Sequence, residues 1–244
     1  MRYALSLLLL PALASAAPAQ DREAEKLYRD MEQKIRSAKA VQFGVTLEIQ
    51  GPAKEDRGGT IKGSVLFTKD NQARLKIGGE VNGEKLNHEI VSDGKQIRLK
   101  PYAAMPDFKE EATFPTPKHL HRTLTTVLPR AGVHLTFLVM SYLVREGDVE
   151  DIAKLGDKSR LGVWDFKAGA AEKVGGRDAK VVSYRVGEKD DRDSASVTVW
   201  IDSRTLAPLK LVIVANPRDA VRYTETYSDF TFDPRIDARA FELK

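Results

Sequence analysis

Apolar and polar residues alternate with a period of two over much of the chain, and this spacing predicts β-strands. The clearest segment runs from Val41 to Gln50, where every second side chain is apolar. Such alternation is typical of a strand with one buried and one solvated face. Four shorter segments with the same spacing follow at 61–67, 74–77, 86–92 and 97–99.

Short polar dipeptides separate these five segments. Asp70-Asn71, Asn82-Gly83 and Asp93-Gly94 each stand between two alternating runs. Asn-Gly and Asp-Gly pairs supply the positive φ angles that tight hairpins require. The first five strands are therefore predicted to form an antiparallel meander.

A second set of alternating segments occupies the end of the chain, at 162–166, 179–186, 196–202, 209–215 and 222–232. Some of these strands are apolar on both faces: Trp200 alternates with Val199 and Ile201. A strand with one wet face needs apolar residues on one side only. We therefore expect Trp200 to be buried between the sheet and a lid.

Helical spacing occurs in three places. Leu27, Met31, Ile35 and Ala38 form one apolar stripe, which predicts a helix from an N-cap at Asp21 to about Ala40. After a loop predicted over 101–117, with Thr116 as N-cap, a second helix is expected over 117–128. The segment 133–144 is apolar almost all round and predicts a buried third helix.

Together these elements predict a mainly β (α+β) fold. We expect a half-open antiparallel β-barrel of about ten strands, with an N-terminal helix and a two-helix lid or plug, because a large antiparallel sheet curls. Two arrangements stay open. The central helices either fill the core completely or cover a cavity lined by Leu138, Met140 and Tyr142.

The N-terminus has the features of a secretory signal peptide: a short basic start, an apolar run from Ala4 to Leu13, and small residues after it. The run is too short to span a bilayer. We therefore expect 1–19 to be a cleaved signal peptide and 20–244 to be a single periplasmic or secreted domain without a transmembrane segment. The chain has no cysteine, which excludes a lipoprotein's acyl anchor.

Charge and motif content favour a binding protein over an enzyme. The 39 Lys and Arg and 35 Asp and Glu residues are interleaved, with no basic stripe for nucleic acid. No nucleotide-binding, zinc-protease or hydrolase motif is present. His119 and His121 would point to different sides of a helix, which argues against a metal site. We expect no catalytic residue, metal or cofactor, although a hydrolase using paired carboxylates stays a minor alternative.

Four segments of the chain match a known family, at 90–97, 199–209, 174–179, and 227–230 with Phe241. The first contains the Ser92-Asp93-Gly94 hairpin, and the second contains the strand ending at Asp202 and the Ala207-Pro208-Leu209 segment that follows its turn. These segments resemble the SDG hairpin and the strand, turn and Leu-Pro return of the LolA-like family of periplasmic lipoprotein carriers, which includes lipid-sensing domains of the RseB type.

The resemblance implies an incomplete barrel with a helical lid and an apolar cavity for acyl chains. Arg74 falls where carriers have an arginine that helps to hold the lid, but Leu75 follows it where carriers have an aromatic residue. The expected cavity and lid residues are Phe43, Val45, Leu47, Val65, Phe67, Leu75, Leu124, Leu135, Leu138, Met140, Tyr142 and Trp200.

The leading hypothesis is thus a cofactor-free periplasmic carrier for an apolar ligand, either lipoprotein acyl chains or another lipid. The alternative from a different class is an envelope lipid-sensing or protein-interaction module of the same fold, with envelope proteins as partners. A carrier needs a cavity that reaches solvent, whereas an interaction module needs a closed core and an exposed apolar patch.

Overall fold

The computed structural model describes residues 17–51, 58–99, 112–116, 161–188, 194–214, 221–237 and 239–242. Within these residues the chain forms one helix and twelve strands. They are α1 (Ala17–Ser37), β1 (Ala40–Gln50), β2 (Gly59–Thr68), β3 (Gln72–Val81), β4 (Glu84–Asp93), β5 (Gln96–Leu99), β6 (Ala112–Pro115), β7 (Leu161–Ala168), β8 (Glu172–Val174), β9 (Arg177–Glu188), β10 (Ala195–Asp202), β11 (Pro208–Val214) and β12 (Arg222–Phe232).

All twelve strands belong to one antiparallel sheet. Its order is β6-β5-β4-β3-β2-β1-β12-β11-β10-β9-β7, and β8 pairs with β9 outside this path. Over the described residues the end strands β6 and β7 do not pair with each other, so the sheet is not closed. The prediction of a mainly β protein with an unclosed antiparallel sheet and an N-terminal helix is confirmed.

The predicted hairpin turns are confirmed by their backbone angles. Asn82 and Gly83 have φ values of 55° and 81° between β3 and β4, as a two-residue turn with two positive φ angles requires. Asn71 (58°) and Gly94 (93°) occupy the neighbouring turns. Strands β1 to β5 consequently pair in sequence order as the predicted meander.

The prediction of about ten strands missed β6 and β8. Strand β6 lies inside the segment predicted to be a loop, and it pairs Phe114 with Ile97 of β5. Pro115 and Pro117 argue against a strand in the sequence. Pro115 is tolerated because β6 lies at the edge of the sheet. Strand β8 is only three residues long and returns through Gly175 and Gly176, which have φ values of 56° and 80°.

Helix α1 begins at Ala17, so the prediction that Asp21 is its N-cap is wrong. Pro18 lies in the first turn, where a missing backbone N–H costs nothing. The helix ends at Ser37 rather than Ala40, because Asp233 binds the backbone of Lys39 and Ala40. Its carboxylate accepts hydrogen bonds from the backbone N–H groups of Lys39 (2.6 Å) and Ala40 (3.1 Å) and starts β1 there.

The two central helices predicted at 117–128 and 133–144 lie outside the described residues, and they stay predictions. Thr116 is described: its backbone N–H donates to the carbonyl of Lys95, and its hydroxyl lies 3.0 Å from the Ser92 hydroxyl. The chain is thus still attached to the β4–β5 hairpin at this point.

The two faces of the sheet carry separate apolar clusters. We call the face with the larger cluster the inner face; helix α1 packs there against β7 and β9 through Tyr28, Met31 and Ile35. The outer face carries a smaller cluster around Trp200 and Val212. The apolar stripe predicted for α1 is confirmed, since Met31, Ile35 and Ala38 are all buried.

Candidate ligand-binding face

Apolar side chains cover the inner face in rows that cross the strands. One row joins Phe43 of β1 to Val65 of β2 and Leu75 of β3, because these residues are directly paired. The next strand continues it with Ile90, opposite Leu75. All four side chains are buried. Paired residues on one face have Cβ atoms about 5 Å apart, so such rows form a continuous apolar surface.

The described residues predicted to line the cavity fall on this surface, apart from Trp200. Phe43, Leu47, Val65, Phe67 and Leu75 are buried members of the inner cluster, and half-buried Val45 packs against it. The sequence therefore placed six residues from three strands on one face. Whether they contact a ligand stays a prediction.

An aromatic group surrounds Phe43 where β1 meets β12. The Phe43 ring stacks on Phe230, with 4.9 Å between centroids and 3° between planes. Tyr227 meets Phe43 edge-on at 5.7 Å. The pairing of β1 and β12 shifts register between Gln42 and Gly44. The extra residue lets Phe230 turn onto the inner face, as β-bulges re-aim side chains.

Glu225 is the most unusual side chain of the inner face. It is 1% exposed and lies directly opposite Leu47 of β1 and Leu211 of β11. Burial raises the pKa of its carboxyl from 4.5 to about 8, and a hydrogen bond from the Tyr227 hydroxyl acts in the opposite direction. At neutral pH the carboxyl is therefore mostly protonated.

Helix α1 closes one end of the inner face through a buried tyrosine pair. The Tyr28 and Tyr184 rings are 4.6 Å apart, and both contact Phe166. The Tyr28 hydroxyl donates to Glu32 over 3.0 Å. Burial raises the pKa of Tyr28, and its interaction with Glu32 raises it further. Burial also raises the pKa of Tyr184, and its interaction with Tyr28 acts in the same direction. Both hydroxyls therefore stay protonated near neutral pH.

A cleft of about 420 Å³ lies between the N-terminal half of α1 and the end of β7 with the 169–171 segment that follows it. Its wall includes Ala24 and Val182, which are buried members of the inner cluster, and half-buried Leu27. Glu23 and Lys180 add charged groups to the lining. The cleft is partly open, so the edge of the inner cluster borders a solvent-accessible space at this end of the sheet.

Trp200 is buried, but it lies on the outer face. The pairing of β10 with β11 shifts register after Trp200, and its ring joins Val181 and Val212 in the outer cluster. Its indole N–H donates to Glu172 of β8 over 2.8 Å, and the Lys210 ammonium lies 4.7 Å from the ring centroid. Strand β8 thus contacts Trp200 on the outer face, and the lid predicted to cover it lies outside the described residues.

Arg74, the predicted lid-holding residue, is attached to the C-terminal segment. Its guanidinium donates to Glu89 of β4 (2.8 Å) and to the carbonyl of Ala240 (3.0 Å). Arg74 alternates with buried Ala73 and Leu75 and is therefore directed to the outer face. In the described part of the chain, its partners belong to the sheet and the terminal turn beside buried Phe241. The other lid candidates, namely Leu124, Leu135, Leu138, Met140 and Tyr142, lie outside the described residues.

Two buried polar residues of the inner face escaped the sequence analysis. Glu225 stands between Thr224 and Thr226, and this polar triplet is typical of an exposed strand. Alternation along the strand indicates the face of Glu225, because Tyr223 and Tyr227, two residues before and after it, lie on the same side. His88 is likewise buried, opposite Ile77, and burial lowers its pKa.

Other kinds of site find no support in the described ranges. Among those residues, no group of three or more His, Asp or Glu side chains could hold a metal ion. The described part of the chain also contains no helix that is both long and apolar enough to cross a membrane.

A family model described as "Predicted periplasmic protein (DUF2092)" matches residues 24–244. The chain belongs to the DUF2092 family. This assignment confirms the periplasmic location predicted from the sequence. No curated protein matches this DUF2092 member.

Several solved structures resemble this DUF2092 member. LprF from Mycobacterium bovis is 11% identical, with 88% of this chain and 97% of LprF covered at a TM-score of 0.50. The lipoprotein LppX from Mycobacterium tuberculosis is 15% identical over 89% of this chain and 100% of LppX, with a TM-score of 0.49. A LolA superfamily protein from Nitrosomonas europaea is 10% identical over 90% and 97% of the two chains, with a TM-score of 0.36. The similarity to LprF concerns the fold alone.

Proposed function

We propose that this protein is a periplasmic, non-enzymatic carrier that binds an apolar ligand, an acyl chain of a lipoprotein or another lipid, on the inner face of its open sheet. The observation that carries the proposal is the continuous apolar surface of that face, together with the cleft that borders its edge. An acyl chain in the aqueous periplasm needs such a surface, since each buried methylene contributes about 0.8 kcal/mol.

The extent of the inner face supports this role. Its apolar rows cross from β9 through β12 and β1 to β4, whereas α1 packs against β7 and β9. Six of the side chains predicted for ligand contact lie in this area. An unclosed sheet also leaves room for a chain to enter without opening backbone hydrogen bonds between the end strands.

The test compares two substitutions on adjacent residues of β1. Val45 points to the inner face, while Thr46 points to the outer face and pairs with Lys62. We expect Val45→Trp to occupy the space of the ligand and to weaken binding of a fluorescent fatty acid about tenfold or more. Thr46→Trp adds the same indole to the same strand and should leave the affinity unchanged.

The measurement is a fluorescence titration of the purified mature protein, with mass spectrometry of any lipid that copurifies. Far-UV circular dichroism establishes that both variants are folded. The proposal is overturned if the wild type binds no fatty-acid probe and carries no lipid, or if the two variants weaken binding equally. A wild type that binds none of these ligands would favour the protein-interaction alternative.

A further inference from the structure

The inner face contains a carboxyl group where its apolar rows give no reason for one. Glu225 occupies the centre of a row in which every other described member is apolar: Val182, Val199 and Leu211 on one side, and Leu47 and Ile61 on the other. A leucine at this position would continue the surface without any desolvation cost. A buried carboxyl is therefore expected to have a hydrogen-bonding task.

The two oxygens of this carboxyl have different surroundings. One accepts the hydrogen bond from the Tyr227 hydroxyl. The other, Oε1, is inaccessible to solvent and has no hydrogen-bond partner among the described residues. A buried polar atom without a partner is unfavourable in a folded protein. Oε1 can therefore form a hydrogen bond with a group that the described residues do not supply.

We propose that Glu225 is the polar anchor of the ligand-binding face and donates a hydrogen bond from Oε1 to the ester carbonyl of an acyl lipid. This inference rests on the proposed function and specifies its ligand class. An ester carbonyl accepts hydrogen bonds but cannot donate them, so it suits a neutral carboxyl whose other oxygen already accepts from Tyr227. The acyl chain would then extend over Leu47, Leu211 and their neighbours.

Among the described residues, the titratable groups around Glu225 are tyrosines, one glutamate and one histidine. Tyr223 and Tyr227 flank it on β12, and Tyr184 of β9 also interacts with it. Tyr28 and Glu32 of α1 lie beyond Tyr184, and buried His88 lies on β4 with a lowered pKa. Ester binding should therefore weaken as the pH rises through about 8, where Glu225 loses its proton.

The experiment measures ester preference in the mature protein. Diphenylhexatriene, an apolar fluorescent probe, is displaced by methyl hexadecanoate or by a linear alkane with the same number of heavy atoms. At about pH 6 the wild type should prefer the ester roughly twofold to tenfold, the size of one net hydrogen bond. At about pH 9.5 this preference should disappear, while the alkane affinity stays nearly constant.

Three variants identify the responsible atom. Glu225→Gln keeps a donor in the same place and should retain the ester preference at both pH values. Glu225→Met removes the donor and should bind ester and alkane equally. Glu48→Gln is the matched control, because Glu48 is an exposed carboxylate on the opposite face, next to Leu47; it should behave like the wild type.

The proposal is overturned if the wild type shows no ester preference or if Glu225→Met keeps it. These results differ from failure of the proposed function, in which the wild type would bind neither the probe nor any competitor. If Glu225→Met does not fold, the test is the pH series: the ester preference should disappear at about pH 9.5 in the wild type and persist in Glu225→Gln.

Discussion

At the scale of single residues, the inner face combines an apolar surface with a carboxyl group that burial keeps neutral. Glu225 is fully enclosed, and its pKa of about 8 reflects the cost of placing a charge among Leu47, Leu211 and Tyr227. In the unfolded chain the same carboxyl titrates near 4.5. The difference between these two pKa values links the stability of the fold to pH.

This linkage gives a prediction for Glu225→Gln. Between pH 4.5 and about 8 the folded state binds the proton more tightly than the unfolded state does. The free energy of unfolding of the wild type should therefore fall as the pH rises through this interval, by at most about 1.4 kcal/mol per pH unit. The neutral glutamine should remove this decline and make the variant more stable than the wild type above pH 8.

Urea denaturation at several pH values measures the effect. The variant Glu48→Gln, which changes an exposed carboxylate on the same sheet, should follow the wild-type curve. Parallel curves for the wild type and Glu225→Gln between pH 5 and 8 would show that Glu225 is ionised in the folded protein.

At the scale of helices and strands, the sequence predicted what local pattern controls. Alternation and turn dipeptides located ten of the twelve strands and the meander from β1 to β5, since strand period and hairpin angles are properties of short segments. Strand β6 and the burial of Glu225 depend on pairing with distant residues. No local signal indicates that Phe114 pairs with Ile97. For Glu225 the alternation with Tyr223 and Tyr227 indicates the face, but its complete burial depends on β1 and β11.

The faces of individual side chains were harder to predict where strands are irregular. Leu209 and Leu211 alternate as though on one face, yet the register shift between β10 and β11 puts Leu209 in the outer cluster with Trp200. Such a bulge inserts one residue and reverses the side-chain alternation beyond it. The candidate residues of the regular strands β1 to β3 share one face, as their alternation indicates, whereas Trp200 alternates with Val199 and Ile201 and lies on the outer face.

The junction between α1 and β1 provides a prediction at this scale. Asp233, with a φ of 50°, accepts hydrogen bonds from the N–H groups of Lys39 and Ala40 and joins the end of β12 to the start of β1. Asp233→Ala should lower the free energy of unfolding by roughly 1 kcal/mol, as the loss of a helix cap does. Asp233→Asn should retain most of the stability, because asparagine keeps an acceptor and tolerates positive φ.

Chemical denaturation of both variants checks this, with Arg235→Ala as the control at an exposed position of the same segment. Equal stability of the alanine variant and the wild type would mean that β-pairing alone fixes the junction.

At the scale of the whole molecule, the open sheet and its apolar inner face connect stability to occupancy. A ligand that binds the folded protein and not the unfolded chain adds to the free energy of unfolding, by about 2.7 kcal/mol when it is present at 100 times its dissociation constant. A carrier that holds an acyl chain on the inner face should therefore be measurably more stable when it is loaded.

The last prediction uses this relation to separate a carrier from a protein whose core is closed without ligand. Removal of copurified lipid by reversed-phase extraction and refolding should lower the urea midpoint of the wild type, and added fatty acid should restore it. Thr46→Trp, altered on the outer face, should respond like the wild type. Val45→Trp should show one midpoint in all three states, because its indole replaces the ligand. A wild-type midpoint that is the same with and without lipid would mean that the inner face is complete by itself, and the carrier proposal would then be wrong.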